Sequence, residues 1–273
     1  MTRHALLGLV ALFLVGCASQ RLAGRELDVV KRPAFISRIE LDAGPHSLVF
    51  REDDSYRDKL KKLEPKEADR RLQSKLASSV TRFEVSERLR VTTFRQLPRE
   101  QPWLNAVDPA RVASVLESFL VEEVPANAPD YDLLAPLGTD AVVEFVIQDY
   151  GMRSKKGRAG AYVRGYTRMF WLKNKREIWR HPFGVDRVEQ GAETLDPFKV
   201  GKDPSLFRQA MTEMLDELST EFAQELTPDD RQEATPVVPD AGPEADAQGR
   251  ERPLPQKPEP PEPAPGELPD PDS

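Results

Sequence analysis

The sequence predicts an α/β (α+β) chain: one domain with a mainly antiparallel sheet that ends in a C-terminal meander and packs against two or three helices, followed by a disordered tail. Three observations predict it. Residues 141–187 read as three extended runs joined by two tight turns. Residues 66–80 and 204–226 carry apolar stripes at helical spacing. From Pro228 the composition changes abruptly: the last 46 residues hold 13 of the 25 prolines and 12 Asp/Glu against 4 Lys/Arg.

At the N-terminus, Thr2-Arg3-His4 is a short basic segment and Ala5 to Val15 an uncharged apolar run, about half of the ~20 residues that span a bilayer as a helix. It therefore reads as a cleavable export signal over 1–16. The signal ends Leu14-Val15-Gly16-Cys17, and Cys17 is the sole cysteine of the chain. Those four residues resemble a bacterial lipobox, which implies a diacylglyceryl-modified Cys17, cleavage before it, and acylation with fatty acids such as palmitate. Several acyl chains on one residue hold a protein stably at a membrane, where a single chain does not. The resemblance extends to sorting: lipoproteins retained at the inner membrane usually carry Asp after the cysteine, and Ala18 in its place implies delivery to the outer membrane, on its periplasmic face. With Cys17 acylated, no thiol is left for a disulfide, so stability has to come from a core.

Residues 17–32 read as a charged tether, able to hold the domain of residues 33–227 roughly 50 Å from the membrane when extended. Phe35, Ile39 and Leu41 suggest a first strand over 34–41, which Gly44-Pro45 breaks. Residues 47–50 suggest a second. The acidic run Glu52-Asp53-Asp54 has no ligand-like spacing after it and reads as a solvated loop. Ala68, Leu72, Leu76 and Val80 mark a helix, with Pro65 fitting its first turn. Residues 83–86 alternate like a strand, and 91–94 continue in extended form. Trp103 lies in a Pro-rich loop and is expected to plug the core.

Asp108-Pro109 starts a helix whose face is Val112, Val115, Leu116, Phe119 and Leu120, ending at Pro125. Residues 131–137 suggest a helical turn with Gly138 at its C-cap. Residues 141–150 carry too little polarity for anything but a central strand. A hairpin tip at 154–160, a strand over 161–172, a turn at 173–176 and a third strand over 177–185 follow; Pro182 places that last strand at an edge. Residues 188–201 read as a loop. Asp203-Pro204 opens a long helix that should cover the sheet. The tail, 228–273, has a net charge of −8 in a chain of −7, is nearly devoid of large apolar residues, and reads as a disordered, semi-extended arm.

Chemistry-bearing motifs are sparse. His46 and His181 have no zinc-site spacing, and no nucleophile elbow or phosphate-binding loop occurs, so no enzyme activity, metal or cofactor is expected. One strand face reads Tyr162, Arg164, Tyr166, Arg168, Phe170. Aromatics alternating with arginines can bind anionic groups, glycans or a partner strand. Alternatively Tyr166 and Phe170 pack while the arginines lie over them or pair with Glu144. Export argues against nucleic acid. A two-residue turn at Asn174-Lys175 would set Phe170 opposite Trp179. The basic hairpin tip, with Arg153, Lys155, Lys156 and Arg158, is a second candidate contact.

Thr81-Arg82-Phe83-Glu84-Val85-Ser86-Glu87-Arg88, Leu137-Gly138-Thr139-Asp140-Ala141-Val142-Val143 and Lys175-Arg176-Glu177-Ile178-Trp179-Arg180 resemble three steps of periplasmic lipoproteins similar to the curli-secretion lipoprotein and the penicillin-binding-protein activators. In that group the first is a strand after a helix, and glycines stand where this chain has Thr81 and Lys175. The resemblance spans about residues 34–226 and implies a small α/β domain that assists assembly or regulation rather than catalysing a reaction. The expected role is thus a lipid-anchored envelope lipoprotein that binds a protein partner as an accessory or assembly factor. The alternative is an auxiliary lipoprotein carrying a lipid or small ligand, which requires an apolar cavity under the last helix; a third, enzymatic reading requires a polar pocket that brings distant carboxylates together with His46 or His181.

Overall fold

The computed structural model describes residues 22–116, 127–192 and 194–227. All of them belong to the first of the two units, Met1–Thr235 and Pro236–Ser273, into which the chain divides. The export signal, Cys17, the helix end at Pro125 and the tail lie outside the described residues.

The sheet is built on strand β3, Ala141–Lys155. It pairs antiparallel with β4, Arg158–Trp171, which pairs antiparallel with β5, Glu177–Asp186. This is the expected meander, with β5 at an edge in the order β1-β3-β4-β5. On its other side β3 receives two short strands in parallel: β1, Pro33–Ile39, beside residues 141–147, and β2, His46–Leu48, beside 151–153. The sheet is therefore mixed. A parallel neighbour needs a long crossover, and the chain between β2 and β3 supplies it with helices.

Those helices differ from expectation in two places, the larger of them at residues 82–96. The segment expected as strand over 83–86 and extended over 91–94 is instead helix α5, Arg82–Gln96, which follows α4, Pro65–Ser79. Thr81 caps it: its hydroxyl accepts from the Glu84 amide at 3.1 Å, and the Glu84 carboxylate accepts from the Thr81 amide at 2.8 Å. This reciprocal pair satisfies two orphan helix donors, and Val85 and Leu89 then fall one turn apart on the buried side. The resemblance to the lipoprotein strand fails at this step.

Between β2 and α4 lie α2, Val49–Glu52, and α3, Arg57–Leu60; the expected second strand stops at Leu48. The three Asp-Pro pairs among the described residues start helices. Asp108 caps α6, Pro109–Val115. Asp196 caps α7, Pro197–Lys202, inside the expected loop. Asp203 accepts from the Ser205 amide at the start of α8, Ser205–Glu225. Residues 131–137 form a 3-10 turn closed by a left-handed Gly138, as expected.

Residues 22–32, the described part of the expected tether, are folded onto the domain. Gly24–Leu27 forms a helical turn, α1, and Leu22, Leu27 and Val30 are buried in the main core. That core fills the space between one sheet face and α4, α5 and α8. Phe222 of α8 sets its ring 5.3 Å from Phe145 and 5.1 Å from Phe183, and Trp103 lies 5.8 Å from Phe35, plugging the core as expected. A smaller cluster on the opposite face gathers Ile36, Val112, Leu116, Tyr131, Leu134 and Phe170.

Candidate functional site: the charged face of the sheet

Alternation along β4 places Tyr162, Arg164, Tyr166, Arg168 and Phe170 on one face, away from the main core. What meets them is decided by β3. Glu144 stands opposite Arg168 and Asp149 opposite Arg164. These two carboxylates are an odd number of residues apart, so a regular pleat would send them to opposite faces. A bulge between Ile147 and Asp149 inserts one residue and returns Asp149 to the Glu144 side. Gly165 accommodates it: a Cβ there would fall 2.0 Å from the Val146 carbonyl oxygen.

Glu144 is fully buried and is the centre of the first cluster. Its carboxylate accepts from Arg38 Nε at 3.0 Å, from Arg168 Nε at 2.5 Å and from the Tyr131 hydroxyl. Arg38 also donates to the Tyr166 hydroxyl at 3.1 Å. Burial, and then the Glu144 charge, push the Tyr131 hydroxyl far above its ordinary pKa, so it donates and does not ionise. For Arg168, burial works against the charge, but Glu144 outweighs it and the guanidinium is held more firmly protonated.

Asp149 is the centre of the second. It accepts from the Tyr162 hydroxyl at 3.0 Å, lies 3.0 Å from His46 Nδ1, and pairs with Arg164 at 2.6 Å. Tyr162 is likewise raised far above the usual tyrosine range, by burial first and by Asp149 second. A cleft of about 280 Å³ beside it is lined by Asp149, Tyr162, Arg164, Arg153, Glu52 and Asp186. Arg153 bridges Glu52 and Asp186 at 3.4 and 3.1 Å. The cleft therefore presents paired charges of both signs.

Of the four candidate residues, Tyr162 is thus buried and Arg168 mostly so. Phe170 packs edge-on against Tyr131, 5.0 Å away. Internal pairing with Glu144, the alternative reading, is what the structure contains for this half. Arg164 stays out, with 68% of its side chain exposed, and Tyr166 is half-buried. Above the Tyr166 ring, 4.2 Å from its centre, lies the Arg180 guanidinium, fixed by Glu177 at 2.7 and 2.9 Å. Arg164, Tyr166 and Arg180 form the accessible strip of this face.

The pairing of Phe170 with Trp179 that a two-residue turn would give does not occur, because the turn is longer and other residues meet. Met169 stands opposite Trp179, then the register shifts so that Phe170 meets Glu177. The turn is longer than two residues: the Lys175 amide donates to the Trp171 carbonyl at 2.9 Å, with Lys175 at a φ of 56°. Trp179 consequently belongs to the core, stacked on half-buried His181 at 6.0 Å, with Glu221 and Glu225 of α8 at 3.7 and 3.8 Å from the imidazole.

The basic hairpin tip is docked. Asp53, from the acidic run read as loop, is buried and accepts from the Gly157 amide at 2.6 Å and the Ser55 amide at 2.9 Å. Burial opposes its ionisation, but these bonds prevail and hold its pKa below the usual value. Sequence reasoning missed Arg38, His46 and Asp149 as members of the face. The available signal was Gly165, a glycine inside a strong strand, which marks a bulge or a close backbone approach.

Among the described residues no cluster of His, Cys, Asp and Glu has metal-site geometry, and no helix is long and apolar enough to cross a membrane. No protein-family model and no curated protein matches the chain. Among solved structures, a lipoprotein of Neisseria meningitidis is 12% identical, with a TM-score of 0.32 over 66% of this chain and 96% of its own. A Xanthomonas campestris protein of the DUF330 family is 11% identical, with a TM-score of 0.34 over 79% of this chain and 93% of its own. A hypothetical protein of Chlamydia trachomatis is 11% identical, with a TM-score of 0.26 over 70% and 96%. At such scores the likenesses are loose ones that transfer no role to this chain.

Proposed function

We propose that this chain is a lipid-anchored lipoprotein of the bacterial envelope, attached through Cys17 to the periplasmic face of the outer membrane, and that it binds a protein partner through the charged face of its sheet. The role is one of binding rather than catalysis. The observation that carries the reading is the strip Arg164, Tyr166 and Arg180: accessible cations and an aromatic ring, held in place from beneath by Arg38, Asp149 and Glu177. Side chains ordered in advance lose little entropy on binding, and arginine and tyrosine are the residues that concentrate binding energy at interfaces. The ligand-carrier alternative is less favoured, because the Phe222 ring packs between Phe145 and Phe183 under the C-terminal half of the last helix, and the groove of about 500 Å³ beside its N-terminal half is lined by Glu84, Glu87, Arg88 and Arg208 as well as by apolar side chains.

Two measurements test the two halves separately. Palmitate labelling of cells should mark the wild type and not Cys17→Ser; an unlabelled wild type removes the anchor. A photo-crosslinking residue at position 164 should yield a discrete protein adduct, and the same residue at position 73, on the exposed side of α4, should not. Identical adducts at both positions would reject the sheet face as the contact.

A further inference from the structure

Leu22 is already buried in the core. Five residues from Cys17 reach at most about 18 Å, so a lipid on Cys17 would hold the domain against the membrane rather than far above it. Within about 20 Å of Leu22, by the length of a chain that includes the α1 turn, the polypeptide enters β1 through Lys31 and Arg32. Their amides donate to the Asp140 carboxylate at 2.7 and 2.9 Å. The Asp140 carbonyl in turn accepts from Leu172 at 2.8 Å, which brings the β4–β5 turn, with Lys173, Lys175 and Arg176, to the same end of the sheet. All five basic residues are exposed. Lys175 is engaged by Asp132 at 2.6 Å, and the Asp140 carboxylate is committed to the two backbone amides.

We propose that this basic end, Lys31, Arg32, Lys173 and Arg176, is a docking surface for an anionic phospholipid bilayer, and that it fixes how the anchored domain stands on the membrane. The inference rests on the lipid anchor proposed above. Lys and Arg held at an anionic surface each strengthen binding roughly five-fold, and the attraction fades within a Debye length of about 8 Å at physiological salt. A long tether would let these charges stand outside that range; a five-residue tether keeps the domain near enough to the surface for them to reach it. With this end down, the Arg164–Tyr166–Arg180 strip is presented to the side, free for a partner.

The test uses the full mature chain carrying Cys17→Ser, so that no acyl group contributes, in co-sedimentation with vesicles. Binding is expected to vesicles containing about a third phosphatidylglycerol, to be absent on pure phosphatidylcholine, and to be lost as salt is raised. Replacing Lys31, Arg32, Lys173 and Arg176 together by Gln should weaken it by about 100-fold or more, with an unchanged circular dichroism spectrum. Replacing Lys62, Lys66, Arg71 and Lys75 instead should leave it intact. Equal binding to both vesicles, or a larger loss with the second set, overturns the docking surface. Palmitate labelling of the wild type reports on the anchor independently, so a labelled protein whose basic end ignores anionic vesicles refutes this inference alone.

Discussion

Glu144 and Phe145 are consecutive, both fully buried, and face opposite ways from the same strand. Around Phe145 the sheet is covered by helices, and burial is mainly of apolar area: Val143, Ile147, Val163 and Met169 lie beneath the side chains of α5 and α8, and the few polar groups there are neutral hydroxyls such as Ser37, which donates to the Ser86 carbonyl at 2.8 Å. Around Glu144 the same strands bury a carboxylate, which is tolerated because Arg38, Arg168 and Tyr131 satisfy it. The first kind of burial is non-directional and forgives small changes of shape. The second depends on each partner being present and correctly aimed, because removing one leaves an uncompensated charge. One face of this sheet is thus built for stability. The other holds side chains at defined positions, which is what a contact surface needs.

The largest expected effect tests the apolar face. Phe222→Ala removes a ring that touches Phe145, Phe183 and His181. It should cost about 4 kcal/mol in urea unfolding, as buried Phe truncations do. Next comes the charged face: Glu144→Gln keeps the shape but leaves two largely buried guanidinium groups without a counter-charge. It should cost about 3 kcal/mol. The comparison is sharpened by Glu144→Gln combined with Arg38→Met and Arg168→Met, which should recover most of that loss. If the triple variant were no more stable than the single one, the face would not be held by charge pairing.

Much of this architecture was legible in the sequence, and for stated reasons. The meander announced itself through long apolar runs broken by turns, α4 and α8 through helical stripes, and two of the Asp-Pro helix starts through their capping chemistry. The error at 83–94 arose because Phe83 and Val85 alternate like a strand, while Val85 and Leu89 also repeat like a helix. The Thr81/Glu84 capping box decides between the two. The site was half legible. A period of two aligned the residues of β4, but the bulge that aligns Asp149 with Glu144 leaves no periodic trace, only Gly165 across from it. That β1 and β2 lie parallel to β3 is long-range information that no local pattern carries.

A smaller effect distinguishes the faces by pH. Tyr162 on the charged face and Tyr150 on the apolar face both resist ionisation: Tyr162 through burial and then Asp149, Tyr150 through burial, which pushes it up to about 12. A tyrosine raised above its unfolded value near 10 contributes its full stability below that pH. Above it the unfolded chain loses protons that the folded chain keeps, so stability falls by up to about 1.4 kcal/mol per pH unit for each such group. Unfolding measured from pH 9 to 11 should therefore show a decline in the wild type that is shallower in Tyr162→Phe and in Tyr150→Phe. At pH 7 the two variants should part. Tyr162→Phe leaves Asp149 short of a donor and costs about 1 kcal/mol, whereas the Tyr150 hydroxyl makes no hydrogen bond within the described chain and its loss costs less.

The smallest effect on stability is the most informative about function. Arg164 pairs with Asp149 at 2.6 Å, yet 68% of its side chain is exposed. Asp149 is only 12% exposed but keeps the Tyr162 hydroxyl and His46, and a pair whose cation stands in solvent contributes about 0.2–1 kcal/mol, because water and salt screen it and the long side chain loses entropy when held. Arg164→Gln should accordingly leave the unfolding midpoint almost unchanged. If the strip with Tyr166 and Arg180 is a protein contact, the same substitution should weaken capture by a crosslinker placed at position 180 several-fold, since truncating an interfacial arginine commonly costs more than 1 kcal/mol. A variant that lost stability but kept its crosslinks would make Arg164 a structural partner of Asp149 and nothing more. One that kept its stability but lost its crosslinks would show that the outermost residue of this face works toward something outside the chain.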